Sequence, residues 1–235
     1  MKIFALDCSS VSAGVAILED DKVLGESFVN VKLTHSQTLM PMVEELFKNT
    51  KIAMQDIDFF ALTHGPGSFT GVRIGVAAIK GMADALQKPC YTVSALEAAA
   101  YPFQDFNGIV CALMDARRDQ AYTALFENGK RLTEDSAWSL DELLAHLYEY
   151  PKKEILLVGD GTEKGYAFLQ EKSIQAVSAM SQFRFVHASS VAFLAKEQIQ
   201  NGIAGTKAKD ILPLYLRLPQ AQRELNNKNQ MHKGE

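Results

Sequence analysis

The amino-acid sequence predicts an α/β protein of two lobes, each built on the same βββαβα plan. Three observations predict it. The first 30 residues read as three short apolar strands separated by polar turns. A second set of strands with the same order starts at residue 108. After each set, segments of helical period alternate with further strands.

The elements follow in order. KIFALD enters the polar turn CSSVSAG, GVAIL is the second strand, and KVLGESFV, after the turn Glu19–Asp21, is the third. In THSQTLMPMVEELFKNT, Leu39, Met42, Val43, Leu46 and Phe47 fall on one helical face. Pro41 interrupts that pattern and predicts a bend or a late helix start. IDFFALT (57–63) is a strand, a long helix runs from about Thr70 to Gln87, PCYTV (89–93) is a strand and SALEAAAY a helix. The second half repeats the order with strands GIVCALMD and QAYTALFEN around the turn ARRD. Residues 130–138 read as its third strand. A helix over 139–150 opens with Ser139 and Glu142 in capping-box positions. EILLVGDG is a strand, GYAFLQEK and SSVAFLAKEQIQNG are helices, and ILPLYLRL precedes a polar tail. Two βββαβα copies define the actin-like architecture, in which nucleotide normally lies between the lobes. The boundaries read as an N-terminal lobe over 1–103, a shorter C-terminal lobe over 104–218 and a frayed tail over 219–235.

The 235 residues are 47% hydrophobic and 22% charged, which suits two small cores and excludes disorder over most of the chain. The formal net charge of −4 supplies no global basic field, so RNA contact requires a local patch or a basic partner. Cys8, Cys90 and Cys111 lie in or beside apolar runs without metal-ligand spacing and read as buried reduced thiols. Asp7 breaks the apolar stretch that would resemble a signal peptide, and no run approaches the ~20 apolar residues of a membrane span. The expected location is the cytoplasm.

Three segments carry candidate chemistry. Asp7, Ser9, Ser10 and Ser12 could face a nucleotide phosphate or its metal, or could simply cap a hairpin turn; spacing leaves both readings open. In HGPGSFTGVRIGVAAIKG (64–81), Gly65, Gly67 and Gly71 free the backbone where a strand meets a helix that Ser68 or Thr70 can cap. Such a place attracts anions, although the spacing matches neither a P-loop nor a dinucleotide fingerprint. The same helix carries Gly71, Gly75, Ala78, Gly81 and Ala85, with Val72, Val76, Ile79 and Ala83 beside them. Glycine costs ~1 kcal/mol in a helix interior, so three in one helix imply a packing demand, internal or from a partner helix. In MDARRDQAY, Arg117 and Arg118 between Asp115 and Asp119 could contact an anion or RNA, or form a solvated turn. His35, His64, His146, His187 and His232 show no zinc spacing, and no G-x-S-x-G elbow is present.

Taken together, ALDCSS, THSQTLMPMVEELF, THGPGSFTGVRIGVAAIKGMADAL, MDARRDQAY and PLYLR closely resemble the TsaB (YeaZ) family over the chain to about Arg217. Cys8 stands where threonine is common. The resemblance implies the fold of the sugar kinase, Hsp70 and actin (ASKHA) superfamily and a role in forming N6-threonylcarbamoyladenosine at position 37 of tRNAs reading ANN codons. It implies a non-catalytic subunit that binds and activates the catalytic paralogue TsaD, together with the ATPase TsaE. Contact with tRNA is then indirect, and a homodimer forms when the partner is absent. No intrinsic cofactor is implied; ATP, magnesium and a metal belong to the complex. The TsaD metal motif V-N-H-x-E-G-H corresponds here to Val93–Ala99, with both histidines replaced, by Ala95 and Ala99. The resemblance puts the partner contact on the N-terminal lobe; the glycine-bearing helix is the candidate for it, supported by the helix at 37–48, with Gly71, Val72, Gly75, Val76, Ile79, Ala83 and Met42 as its residues, so Val76→Arg is expected to abolish pairing and leave the monomer folded. Asp7, Ser9, Gly65, Gly67 and Ser68 remain the candidates for a cofactor, and Arg117 and Arg118 for tRNA. The competing readings are an actin-like ATPase using Asp7 and the GPGSFTG loop, and a glycoprotease-like metallopeptidase.

Overall fold

A computed structural model describes residues 1–31, 33–116 and 120–217. Eleven strands and six α-helices lie among them. The first meander comprises β1 (Lys2–Asp7), β2 (Ala13–Glu19) and β3 (Lys22–Val29), and β4 (Phe59–Thr63) and β5 (Cys90–Val93) complete a sheet of order β3-β2-β1-β4-β5. The second meander comprises β6 (Ile109–Asp115), β7 (Gln120–Glu127) and two short strands, β8 (Lys130–Arg131) and β9 (Ser136–Ser139), which both pair with β7. The single third strand expected over 130–138 is thus divided in two. With β10 (Ile155–Val158) and β11 (Val177–Ser178), the second sheet has the order β11-β10-β6-β7-β8. Both sheets therefore run third strand, second, first, fourth, fifth, and in both the first, fourth and fifth strands are parallel. The duplicated plan is a duplicated topology.

Side-chain alternation explains how each sheet is covered. In β1, Phe4 and Leu6 join a core beneath α1 (His35–Thr50) and α2 (Phe69–Leu86), while Ile3 and Ala5 join a second core shared with the other sheet. In β6, Val110, Ala112 and Met114 enter that shared core. Ile109, Cys111 and Leu113 face α4 (Leu140–Leu147) and α5 (Thr162–Glu171). Two helices lie between the sheets: α3 (Ala95–Ala100), from the first half, packs on β6 and β7, and α6 (Ala188–Gln200), from the second, packs on β1, β2, β4 and β5. A cut in the chain at 103/104 thus separates helices from the sheets they cover.

Local chemistry accounts for the helix ends. Ser139 accepts from the Glu142 amide while the Glu142 carboxylate accepts from Ser139, completing the expected capping box. Ser68 caps α2 by accepting from the Gly71 amide at 3.2 Å. The helix α1 starts at His35 and runs through Pro41 without the delay that proline predicted. Gln37 and Pro41 are both exposed, so water can serve the carbonyl that a proline nitrogen leaves unpaired. All three cysteines are free and buried, and burial pushes the Cys90 thiol up to about 11 and the Cys111 thiol up to about 12. Among the described residues, no helix is long and apolar enough to cross a membrane.

Candidate functional site

The β1–β2 turn is held by its own side chains. Asp7 is fully buried at the end of β1. Its Oδ1 accepts from the Ser9 amide (3.1 Å), the Ser9 hydroxyl (2.6 Å) and the Thr63 hydroxyl at the end of β4 (2.5 Å). Burial raises the Asp7 pKa, against the lowering effect of those hydrogen bonds. Its Oδ2 is buried with no hydrogen-bond partner. Ser10 and Ser12 share a hydroxyl–hydroxyl contact of 2.9 Å, and His35 Nε2 lies 2.9 Å from the Ser10 carbonyl oxygen. The side chains thus bond within the turn, as in a capped hairpin, and leave Asp7 Oδ2 unpaired.

The glycine loop packs on that turn. The Ser68 amide donates to the Ser9 carbonyl at 2.7 Å. A Cβ built on Gly67 would sit 2.1 Å from the Ser9 carbonyl oxygen, and one on Gly71 would sit 2.1 Å from the Cys8 carbonyl oxygen. Gly65, at φ +125°, has the Leu214 carbonyl oxygen 2.4 Å from its would-be Cβ. The structure therefore brings Asp7, Ser9, Gly65, Gly67 and Ser68 together. It joins them backbone against backbone, and the Ser68 and Gly71 amides that could have met an anion are bonded within the chain.

The helix α2 corrects the residue assignment for a partner surface. Gly71, Val72, Gly75, Val76, Ile79 and Ala83 are buried, as is Met42 on α1, and they face the core of the first lobe. The demand that Gly71 and Gly75 answer is internal, since Gly75 lets the helix settle on Leu6 and Cys8, whereas Gly81 is exposed and answers no packing demand within this chain. Helical period then turns Thr70, Arg73, Ala77 and Gly81 outward, with Ile74 half-buried beside them. Next to this face lies a groove of about 630 Å³ lined by Val11, Val31, Leu33, His35 and Ile74 among others, of which Val11, Val31 and Leu33 are exposed.

Across the cleft, Asp160 Oδ1 accepts from the Asp115 amide at 3.0 Å. Burial first, then the charges of Asp115 and Asp7, push the Asp160 carboxyl up to about 6. A raised carboxyl pKa favours the folded state below the unfolded value near 3.8, and that contribution is lost as pH rises through about 6. Asp160→Asn keeps the acceptor and removes the charge. Urea unfolding is expected to show it more stable than the parent at pH 7.5, on the order of 1 kcal/mol after discounting for partial exposure, and equal to it at pH 4. Sequence reasoning missed Asp160 and Thr63, although Asp160 stands between two glycines at a strand end and Thr63 directly precedes the His-Gly-Pro-Gly loop. Arg117 and Arg118 lie outside the described residues. Ala95 and Ala99 are buried methyl groups on α3, and no group of three or more His, Cys, Asp or Glu side chains placed to hold a metal ion occurs among the described residues.

Comparison with known proteins agrees with this architecture. A family profile described as TsaD: tRNA N6-adenosine threonylcarbamoyltransferase matches residues 27–225. The tRNA threonylcarbamoyladenosine biosynthesis protein TsaB of Bacillus subtilis is 34% identical over 231 residues, covering 94% of this chain and 96% of that protein. The chain belongs to the TsaB family. A crystal structure from Pseudomonas aeruginosa, described as similar to peptidase YEAZ, superposes with a TM-score of 0.77 at 28% identity and covers 92% of this TsaB-family chain and 99% of that one. Component A of (R)-2-hydroxyglutaryl-CoA dehydratase from Acidaminococcus fermentans superposes at 0.51 with 13% identity, covering 85% and 99%. It shares the fold alone. The two-lobed actin-like architecture expected from the strand order is the architecture of the chain.

Proposed function

We propose that this chain is a non-catalytic subunit in the formation of N6-threonylcarbamoyladenosine on tRNA, acting by pairing with a TsaD-like catalytic paralogue. A TsaE-like ATPase completes the system, and tRNA reaches this chain through the complex. The observation that supports this reading best is the direct backbone contact between the Cys8–Ser10 turn and the Gly65–Gly71 segment. In a cleft built to use a nucleotide, donors of this kind would be left open to phosphate. Here the Ser68 and Gly71 amides bond to the chain itself.

A subunit without its own chemistry contributes through a surface. The outward face of α2 (Arg73, Ile74, Ala77), with Met40 of α1 and the exposed Val31 and Leu33, offers one apolar band on the first lobe. Burying such a band against a helix of the paralogue would supply affinity, and Arg73 would favour a carboxylate at its rim. Reconstitution with the TsaD-like and TsaE-like proteins, tRNA, threonine, bicarbonate and ATP tests the role. Modification is expected to fall at least tenfold when this chain is omitted, and an equal rate without it would defeat the proposal. Calorimetry of the chain alone with ATP and magnesium is expected to show no micromolar binding. Such binding, lost in Asp7→Ala, would support an ATPase instead.

A further inference from the structure

Residues 203–217 contain one short 3-10 turn, Ala208–Asp210, and no strand or α-helix, yet they are tied down along their length. The Thr206 amide and carbonyl both bond to Cys90, at 2.8 and 2.9 Å, at the outer edge of the first sheet. Lys80 of α2 donates to the Lys209 carbonyl at 2.9 Å, and Ile211 is buried in the core beneath that helix. The Leu214 amide donates to the His64 carbonyl at 2.7 Å. The Tyr215 ring stacks on Phe69 at 4.8 Å between centroids. The Arg217 guanidinium then donates to the Ala116 carbonyl at 2.6 Å.

The partners of Thr206, Lys209, Ile211, Leu214 and Tyr215 belong to the first lobe, and Ala116 belongs to the turn between β6 and β7 of the second. The strap thus runs from the first lobe to the β6–β7 turn of the second. It also presses on the glycine loop from outside: the Leu214 carbonyl occupies the space that a side chain at Gly65 would need, while the Ser9 carbonyl occupies the corresponding space at Gly67. Strap, loop and the turn bearing Asp7 form three backbone layers in contact. Displacement of the outer layer leaves the middle one held by the Ser9 turn and by the Ala95 amide, which donates to the Gly65 carbonyl at 2.9 Å, and removes its packing on the strap side.

We propose that residues 206–217 form an interlobe latch that ties the β6–β7 turn to the first lobe and holds the Asp7 turn rigid through the Gly65–Gly67 loop. A guanidinium bonded to a carbonyl is a strong single tie, and the aromatic stack fixes the approach of the chain to it. The latch is a property of the chain by itself, so its test is independent of the partner role above.

The test uses the full-length double variant Tyr215→Ala/Arg217→Ala, with hydrogen exchange followed residue by residue by NMR. Exchange is expected to rise at least tenfold at the Leu214 amide and also at the Ser9, Ser12 and Ser68 amides, with amides within β1 and β2 unchanged within twofold. Acceleration at Leu214 alone would make the strap a passive tail and overturn the proposal. So would unchanged exchange everywhere, which would show that these two side chains do not hold it. Equal acceleration in β1 and β2 would mean general destabilisation, and this too would overturn it. Arg217→Lys with Tyr215 intact retains a donor and is expected to keep Ser68 exchange within threefold of the parent.

Discussion

Gly67→Ala is expected to destabilise the chain by roughly 3 kcal/mol or more, a large fraction of the stability of a small two-lobed protein. The added methyl would sit 2.1 Å from the Ser9 carbonyl oxygen and 2.9 Å from the Ser9 carbonyl carbon, both backbone atoms with no rotamer to yield. The Ser9–Ser68 hydrogen bond at 2.7 Å would break or lengthen as the layers part, and Asp7 would lose its fixed donors from the turn. Urea unfolding followed by circular dichroism measures the loss, and a change under 1 kcal/mol would mean that the contact is not tight in solution. Gly81→Ala is the control on the same motif. Nothing lies within 4 Å of its would-be Cβ and it sits inside α2, so alanine there is expected to stabilise by up to ~1 kcal/mol.

Two substitutions two residues apart on α2 are expected to separate folding from pairing. Val76 is 6% exposed and lies in the core with Leu6, Leu62 and Ile79. Val76→Arg would bury an unpaired guanidinium or push the helix off the sheet, at a cost on the order of 4 kcal/mol. It should unfold the monomer, the opposite of the intact monomer expected when Val76 is placed on a partner-facing surface. Ile74 is half-buried beside the outward face and the groove. Ile74→Glu should leave the melting temperature within a few degrees and weaken pairing with the TsaD-like protein about 100-fold, or ~2.7 kcal/mol, by placing a charge in an apolar contact. Size-exclusion chromatography and calorimetry with the paralogue read the two effects separately. A folded Val76→Arg monomer would contradict the core position of Val76, and undiminished pairing by Ile74→Glu would remove this face of the helix from the proposed contact.

The same distinction shows what was legible in the residues. Period 2 in β1 and β6 and period 3.6 in α1 and α2 are local properties, and they specified the elements, their order and the duplicated plan. The capping box of α4 was legible for the same reason, since Ser139 and Glu142 are three residues apart on one turn. Motif strings carried family membership. The direction in which α2 faces was not legible: small and aliphatic residues make a close helix contact equally well inside a lobe or between subunits. That choice depended on where β1 and the Cys8 turn lie, and so did the use made of Gly65 and Gly67, whose neighbours Leu214 and Ser9 are distant in sequence.

By itself the sequence determined the actin-like plan, the family and the absence of lone pairs at positions 95 and 99. These depend on residue identity and short-range period alone. Tertiary structure alone decided that α3 and α6 exchange sheets, that the glycine loop is sandwiched between the Asp7 turn and the C-terminal strap, and that the outward side of α2 is the Arg73–Ile74–Ala77 side. The reason is that each of these facts is a contact between segments far apart along the chain. Such contacts arise from the packing of whole layers, and no local spacing encodes which distant backbone will arrive.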